Sequence, residues 1–163
     1  MATPLAWDRV RITLTDERWV PLNHPDSNEA LLRSLTGKST PQPHIEGLYE
    51  AGMTPQAALP NVIARWPLPH VILLGMGKDG HIASLFPADE ANQSQVFLAV
   101  TLQKDHWRMT LTPPTLRQAN SVILAFTGKE KSATFEHALV EGAAAELPAR
   151  HVLRVTGQVF IGP

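Results

Sequence analysis

The sequence has no cysteine among its 163 residues. This absence excludes a disulfide framework, a thiolate nucleophile and a zinc site with cysteine ligands. An excess of charge of one sign is also lacking, because 14 Lys and Arg residues oppose 15 Asp and Glu residues and leave a formal net charge of −1. The composition therefore gives no electrostatic basis for binding nucleic acid or an anionic membrane, and neither is expected as a partner.

Long hydrophobic runs are absent as well. No apolar run approaches the ~20 residues of a transmembrane helix, and residues 1–4 lack the pattern of a signal peptide, so we expect a cytoplasmic protein. The seven histidines form no HxH or HxxxH pair, which argues against a sequence-local metal site. The length predicts a single domain over residues 1–163, and the hydrophobic content of 44% is ordinary for a soluble globular chain.

Strand and helix patterns alternate along the chain. Asp26 is expected to cap a helix, with Glu29 completing a capping box. The alternation predicts an α/β fold with an at least partly parallel sheet. Strands are predicted at residues 10–14, 71–74, 96–100, 108–111, 122–126 and 152–155, and helices at 26–35, 55–65, 82–86, 113–119 and 129–140.

The most informative segment is the glycine-rich turn after the predicted strand 71–74. Its letters Gly75-Met76-Gly77-Lys78-Asp79-Gly80 fit the dinucleotide fingerprint G-x-G-x-x-G. Asp79, however, would place a negative charge beside a pyrophosphate, and Pro87 stops the following helix after barely two turns. No acidic residue ends a strand about twenty residues later, so a nicotinamide site is not expected.

The same turn has the layout of a catalytic loop. Gly75, Gly77 and Gly80 remove side chains from the strand end, and we expect them to leave N–H groups facing a ligand. His81 follows at once and can accept a proton from water near neutral pH. Asp79 is close enough in sequence to orient the imidazole and to stabilise its charged form.

Two further polar segments follow predicted strands. Residues 15–18 contain Asp16 and Arg18, and residues 127–131 contain Lys129 and Lys131 behind Gly128. Ligands of open α/β sheets bind at the carboxyl ends of strands, and a helix N-terminus favours an anion. The three segments together predict a site for an anionic small molecule such as a sugar phosphate.

Residues 75–87 closely resemble the signature of the 6-phosphogluconolactonase family, which is related to glucosamine-6-phosphate deaminase. Residues 16–21 with 26–28, then 108–112 and 128–131, are similar to its other signatures, in the same order. The resemblance implies a three-layer α/β/α Rossmann-like fold with a mostly parallel sheet, as in the glucosamine-6-phosphate deaminase/ribose-5-phosphate isomerase superfamily. It further implies hydrolysis of 6-phospho-D-glucono-1,5-lactone in the oxidative branch of the pentose phosphate pathway, with no cofactor and no metal.

The resemblance also assigns roles to individual residues. His81 is implied to be the general base, and Asp79 is implied to position that base or the substrate. The residues implied to bind the substrate are Asp16, Arg18, Gly75, Gly77, Gly80, Arg108 and Lys131. Among them Arg18, Arg108 and Lys131 are the candidates for holding the phosphate or the oxyanion.

Two alternatives stay open beside lactone hydrolysis. Deamination is disfavoured, because Phe86 stands where the deaminases have a glutamate that assists ring opening. A sugar-phosphate-binding or assembly domain of weak activity is the other. The family begins with a further βαβ portion that carries a phosphate-binding loop, and this chain starts at the next strand. It is thus expected to be a fragment or a short form. Its exposed apolar surface and sheet edge predict either self-association or marginal stability.

Overall fold

The structure is a computed structural model that describes residues 6–37, 41–104 and 106–163. The strands of these residues are β1 (Arg11–Thr13), β2 (Asp16–Arg18), β3 (His44–Glu46), β4 (Val71–Gly75), β5 (Leu98–Gln103), β6 (His106–Leu111), β7 (Ser121–Thr127) and β8 (Thr156–Gly162). The α-helices are α1 (Asn28–Thr36), α2 (Pro55–Arg65), α3 (Pro113–Leu116) and α4 (Lys129–Leu139). Short 3₁₀ turns lie at Trp7–Arg9, Glu90–Gln93 and Pro148–His151.

Pairing divides these strands into three sheets. β1 pairs with β3 in parallel, and a second parallel sheet has the order β4-β7-β8. The third sheet is antiparallel and has the order β2-β6-β5. The predicted α/β fold with parallel strands is confirmed, and the antiparallel sheet adds a feature that the strand–helix alternation did not predict.

The core lies against one face of the parallel sheet β4-β7-β8. Ile72 and Leu74 of β4 and Val122 and Leu124 of β7 are all buried, with at most 2% of their surface exposed. Each such aliphatic side chain contributes about 1.5–3 kcal/mol when it leaves water. This packing fixes the strand after which the glycine turn begins.

Helix α1 begins at Asn28, two residues later than predicted, and its cap lies one residue later than predicted. The Ala30 N–H donates to Ser27 Oγ over 3.1 Å, so Ser27 is the N-cap. The expectation that Asp26 caps this helix was wrong, because its carboxylate lies 3.0 Å from the His106 imidazole instead. A serine one position along supplies the oxygen that the first turn needs.

Two predicted elements were wrong. Residues 152–155 form a turn, and the last strand is β8, which starts at Thr156. Residues 82–86 are not helical, because Ala83 has a φ of 48° and Ile82 makes isolated bridges to Met76 and Leu85. A positive φ interrupts an α-helix.

The remaining differences concern boundaries and short strands. The strand predicted at 96–100 runs from Leu98 to Gln103, and the helix predicted at 113–119 ends at Leu116. Strand β3 was not predicted, and the polar segment that contains Asp16 and Arg18 is itself strand β2. Strands β2 and β3 form because they pair with strands that are distant in the sequence, and local apolar alternation does not predict them.

No helix in the described ranges has the length and apolar character needed to cross a membrane. Residues 1–4, which lack the signal-peptide pattern, lie outside the described residues.

Candidate active site

The glycine turn closes on itself. The Gly77 N–H donates to the His81 carbonyl over 2.9 Å, and the Gly80 N–H donates to the Gly77 carbonyl over 3.1 Å. Gly80 has a φ of 78°, a conformation that glycine adopts without strain. The expectation that these two N–H groups face a ligand was therefore wrong, since both hold the loop together.

Gly77 also leaves room for the His81 side chain, because it has no side chain of its own. A Cβ atom on Gly77 would lie 2.1 Å from two atoms of the His81 imidazole and 2.7 Å from Asp79 Oδ1. The imidazole thus rests directly on the backbone of Gly77. At Gly75, by contrast, an added Cβ would meet no atom within 4 Å.

The loop is anchored to the elements around it. The Thr134 hydroxyl of α4 donates to the Lys78 carbonyl over 2.7 Å, and the Ala149 N–H donates to the Gly80 carbonyl over 2.9 Å. Lys78 also forms an ion pair with Glu130. These contacts tie the turn to α4 and to the 3₁₀ turn Pro148–His151, so His81 projects from an anchored backbone.

His81 and Asp79 form a close pair. Asp79 Oδ1 lies 2.6 Å from His81 Nδ1 and accepts the His81 backbone N–H over 3.2 Å. Burial raises the pKa of Asp79, but the hydrogen bonds and charge of His81 outweigh it and hold that pKa below its usual value. An ionised carboxylate only accepts hydrogen bonds, so Nδ1 carries the proton and Nε2 remains free to take one.

The antiparallel sheet presents a polar face to this loop. Asp16 is directly opposite Thr110, and Arg18 is directly opposite Arg108, so all four side chains lie on one face of the sheet. Glu17, between Asp16 and Arg18, points to the other side and is fully buried.

Ser84 connects the loop to that polar face. It is fully buried, and its hydroxyl donates to Asp16 Oδ2 over 2.6 Å. The same hydroxyl oxygen lies 3.4 Å from Arg108 Nη1 and accepts a hydrogen bond from it. The Ser84 N–H donates to Thr110 Oγ1 over 3.1 Å. The glycine turn is thereby joined to strands β2 and β6, which carry Arg18 and Arg108.

Arg18 and Arg108 form a pair of like charges across neighbouring strands. Burial lowers the pKa of Arg108, and the charge of Arg18 lowers it further. The Nε atoms of both side chains are buried and have no hydrogen-bond partner among the described residues. Like charges directly opposite each other destabilise a sheet. Asp16 Oδ2, 3.9 Å from Arg108 Nη1, and the Asp26 carbonyl, which accepts from Arg18 Nη1 over 2.8 Å, offset part of this cost.

Lys131 lies in a different place. With the ends of β7 and β8 it lines a shallow depression, together with Thr127, Phe160 and Gly162. Gly75 and Thr127 end neighbouring parallel strands, so Lys131 shares the carboxyl edge of the sheet with the glycine turn. The structure thus brings His81, Asp79, Asp16, Arg18 and Arg108 together, and it places Lys131 on the β8 side of that edge.

Three residues near the site were not singled out from the sequence as site components. Ser84 and Thr110 join the loop to the sheet, and Glu17 holds α1 by accepting the N–H groups of Asn28 and Glu29 over 2.8 and 2.7 Å. Desolvation raises the pKa of Glu17, although these hydrogen bonds oppose it. Of these three residues, only Glu17 could have been placed from the local sequence. In a strand over Asp16-Glu17-Arg18, its side chain must point to the face opposite that of Asp16 and Arg18.

Among the described residues, no group of three or more His, Cys, Asp or Glu side chains is arranged to hold a metal ion. The site defined by the fold is that of an α/β protein that combines a free imidazole nitrogen with two neighbouring guanidinium groups.

Comparisons with known proteins agree on one family. A family model described as "Glucosamine-6-phosphate isomerases/6-phosphogluconolactonase" matches residues 1–161. A 6-phosphogluconolactonase of Pseudomonas putida is 36% identical over 162 residues, which cover 92% of this chain and 67% of that protein. A 6-phosphogluconolactonase of Pseudomonas aeruginosa is 37% identical over an alignment of 169 positions, and the alignment covers 93% of this chain and 69% of that protein.

Solved structures give the same result. The crystal structure of a 6-phosphogluconolactonase from Shewanella baltica is similar with a TM-score of 0.87 at 30% identity, covering 98% of this chain and 74% of that one. The 6-phosphogluconolactonase of Thermotoga maritima is similar with a TM-score of 0.79 at 26% identity, covering 99% and 76%. The chain belongs to the glucosamine-6-phosphate isomerase/6-phosphogluconolactonase family.

Proposed function

We propose that this protein is a cytoplasmic enzyme that hydrolyses 6-phospho-D-glucono-1,5-lactone to 6-phospho-D-gluconate in the oxidative branch of the pentose phosphate pathway. One observation carries the proposal. The His81–Asp79 pair is joined through Ser84 to the face that bears Arg18 and Arg108, so a proton acceptor and an anion site lie side by side. The relatives named as 6-phosphogluconolactonases support the substrate.

The proposed reaction uses the free nitrogen of His81 as general base. Nε2 removes a proton from water while the water oxygen attacks the lactone carbonyl carbon. The tetrahedral intermediate then expels the ring oxygen, which takes the proton back from the imidazolium. Asp79 stabilises the imidazolium between these two steps because its carboxylate is bound to Nδ1.

The cationic groups divide the remaining work. Arg18 and Arg108 are proposed to hold the phosphate or the oxyanion, because both have unsatisfied nitrogen atoms beside the catalytic loop. Asp16 is also proposed to belong to the substrate site, where it accepts the hydrogen bond of the Ser84 hydroxyl. Lys131 is proposed to contribute from the β8 side, and Gly75 is proposed to let the substrate approach the backbone, because an added Cβ there would meet no atom within 4 Å. Gly77 and Gly80 are proposed to serve the substrate site through the shape that they give to the loop.

The alternatives make different predictions. A binding domain of the same fold would take up the phosphosugar without turnover. An amino-sugar-phosphate deaminase would release ammonia from glucosamine 6-phosphate, and we expect none, because Phe86 cannot transfer a proton at the deaminase glutamate position.

Phosphate recognition by the arginine pair can be measured with the reaction product. Calorimetric titration should show that the parent protein binds 6-phosphogluconate more tightly than gluconate. Replacing Arg108 by alanine should weaken 6-phosphogluconate binding by about tenfold to a hundredfold, which corresponds to one charge-assisted hydrogen bond, with little effect on gluconate.

The matched control is Arg154→Ala, which removes an exposed arginine from the turn before β8. This variant should bind 6-phosphogluconate like the parent. Equal affinity of the parent for 6-phosphogluconate and gluconate would contradict phosphate recognition. Lactone turnover by the parent separates an enzyme from a binding domain.

We also propose that two copies associate through the second face of the sheet β4-β7-β8. Val71 and Leu73 of β4 are 58% and 63% exposed, and Phe160 of β8 is 57% exposed. Parallel sheets normally have both faces covered, and exposed apolar patches mark contact surfaces. The near-zero net charge opposes association of two copies only weakly.

Sedimentation should therefore show a dimer whose mass falls to that of the monomer in Leu73→Lys. The control Leu139→Lys changes a side chain that is 62% exposed on α4 and should leave the dimer intact. A parent protein that sediments as a stable monomer at all concentrations would refute this proposal.

A further inference from the structure

The Asp79 hydrogen bond is a single contact, and it restrains the His81 ring at Nδ1. Rotation of the side chain about χ1 and χ2 must also be limited by what contacts the faces of the ring. The side chain is 32% exposed, so surrounding packing does not lock it on all sides. A base that rotates away from the substrate loses rate, because reacting atoms must be held within a narrow geometry.

Phe86 restricts this rotation. Its ring stacks on the His81 imidazole with 4.3 Å between the ring centres and an angle of 26° between the ring planes. The offset stack is one of the arrangements that aromatic pairs prefer, and it stabilises the pair beyond the effect of the buried area. The stack therefore opposes rotation of the imidazole away from this arrangement.

Phe86 is itself held in place. Its carbonyl accepts a hydrogen bond from Asn92 Nδ2 over 2.5 Å and another from the Asp89 N–H over 3.1 Å. The Asp89 carboxylate in turn accepts from Thr101 Oγ1 over 2.6 Å and from Gln103 Nε2 over 2.5 Å. Phe86 is thus tied to strand β5, which belongs to the sheet that carries both arginines.

The same ring contacts the anion site. Arg108 Cζ lies 5.7 Å from the centre of the Phe86 ring, within the distance of a cation–π interaction. One aromatic ring thereby contacts both the general base and an anion-binding guanidinium group. The negative face of the ring also favours the imidazolium that forms when His81 accepts a proton.

We propose that Phe86 is a positioning residue, which holds the His81 imidazole in its reactive orientation and fixes its distance from Arg108. This inference rests on the proposed lactone hydrolysis by His81. A leucine at this position would fill much of the same volume but could not stack, so the two roles of Phe86, packing and orientation, can be separated.

The test compares Phe86→Leu with Phe86→Tyr. Phe86→Leu should lower kcat by about threefold to tenfold, the rate equivalent of one aromatic contact, with a much smaller change in KM. Phe86→Tyr keeps the stack and should restore kcat. The matched control Phe97→Leu removes a ring that is 43% exposed before β5 and should behave like the parent.

A second measurement does not depend on activity. The ring protons of His81 lie over the Phe86 ring, so their NMR resonances should be shifted upfield in the parent and in Phe86→Tyr. They should return toward ordinary values in Phe86→Leu. If the shift is present but the parent shows no turnover, the proposed function fails while the stack remains. If Phe86→Leu removes the shift without lowering kcat, or lowers only the melting temperature, the positioning role is overturned.

Discussion

Replacing His81 by alanine should lower kcat for lactone hydrolysis by about 10²–10⁴-fold, the usual contribution of a general base. The expected loss is large because, among the described residues that form the site, the imidazole is the group with a free nitrogen suited to accept a proton from water. The substrate should still bind, since Arg18 and Arg108 keep their positions on β2 and β6. We therefore expect the loss in kcat and little change in the affinity for 6-phosphogluconate.

The matched control is His70→Ala. His70 is exposed, and it lies just before β4 in the same chain segment. Its loss should leave both kcat and product binding at the parent level. Equal rates for the parent and His81→Ala would show that His81 is not the base.

Replacing Gly77 by alanine should reduce kcat by about a hundredfold, the cost of displacing a reacting group by roughly 1 Å. The new methyl group would lie 2.1 Å from the imidazole, which is shorter than any van der Waals contact, so His81 must move. The Asp79 hydrogen bond would be disturbed with it, because the same methyl group lies 2.7 Å from Oδ1. NMR of the His81 ring together with steady-state kinetics would detect both changes.

Gly75→Ala separates steric support of His81 from contact with the substrate. Its methyl group meets no atom within 4 Å, so the His81–Asp79 pair should stay in place. A loss of activity there would report contact with the substrate instead. Retention of the parental kcat by Gly77→Ala would refute the claim that Gly77 supports the imidazole.

Local sequence patterns predicted the elements that depend on neighbouring residues. The apolar letters of residues 71–74 and 122–126 predicted β4 and β7, because buried strands of a parallel sheet are apolar along their length. Residues 55–65 were predicted as a helix and form α2 with the same bounds. The proximity of Asp79 to His81 followed from their separation of two residues.

Distant contacts could not be predicted in this way. The hydrogen bond from Ser84 to Asp16 joins residues 68 positions apart, and no periodic pattern of neighbouring residues predicts such a contact. The loop at residues 82–86 was expected to be helical, but the positive φ of Ala83 and the contacts of Ser84 with the sheet give it another conformation. Strand β8 depends on pairing with β7, and its glycines obscured it.

The central claim is that this loop and the arginine pair catalyse lactone hydrolysis. The most direct test is the initial rate of 6-phospho-D-glucono-1,5-lactone hydrolysis, measured against the spontaneous rate at the same pH, with unphosphorylated gluconolactone in parallel. We predict a rate that increases in proportion to protein concentration and is faster for the phosphorylated lactone. A rate equal to that of spontaneous hydrolysis at every protein concentration would contradict the proposal.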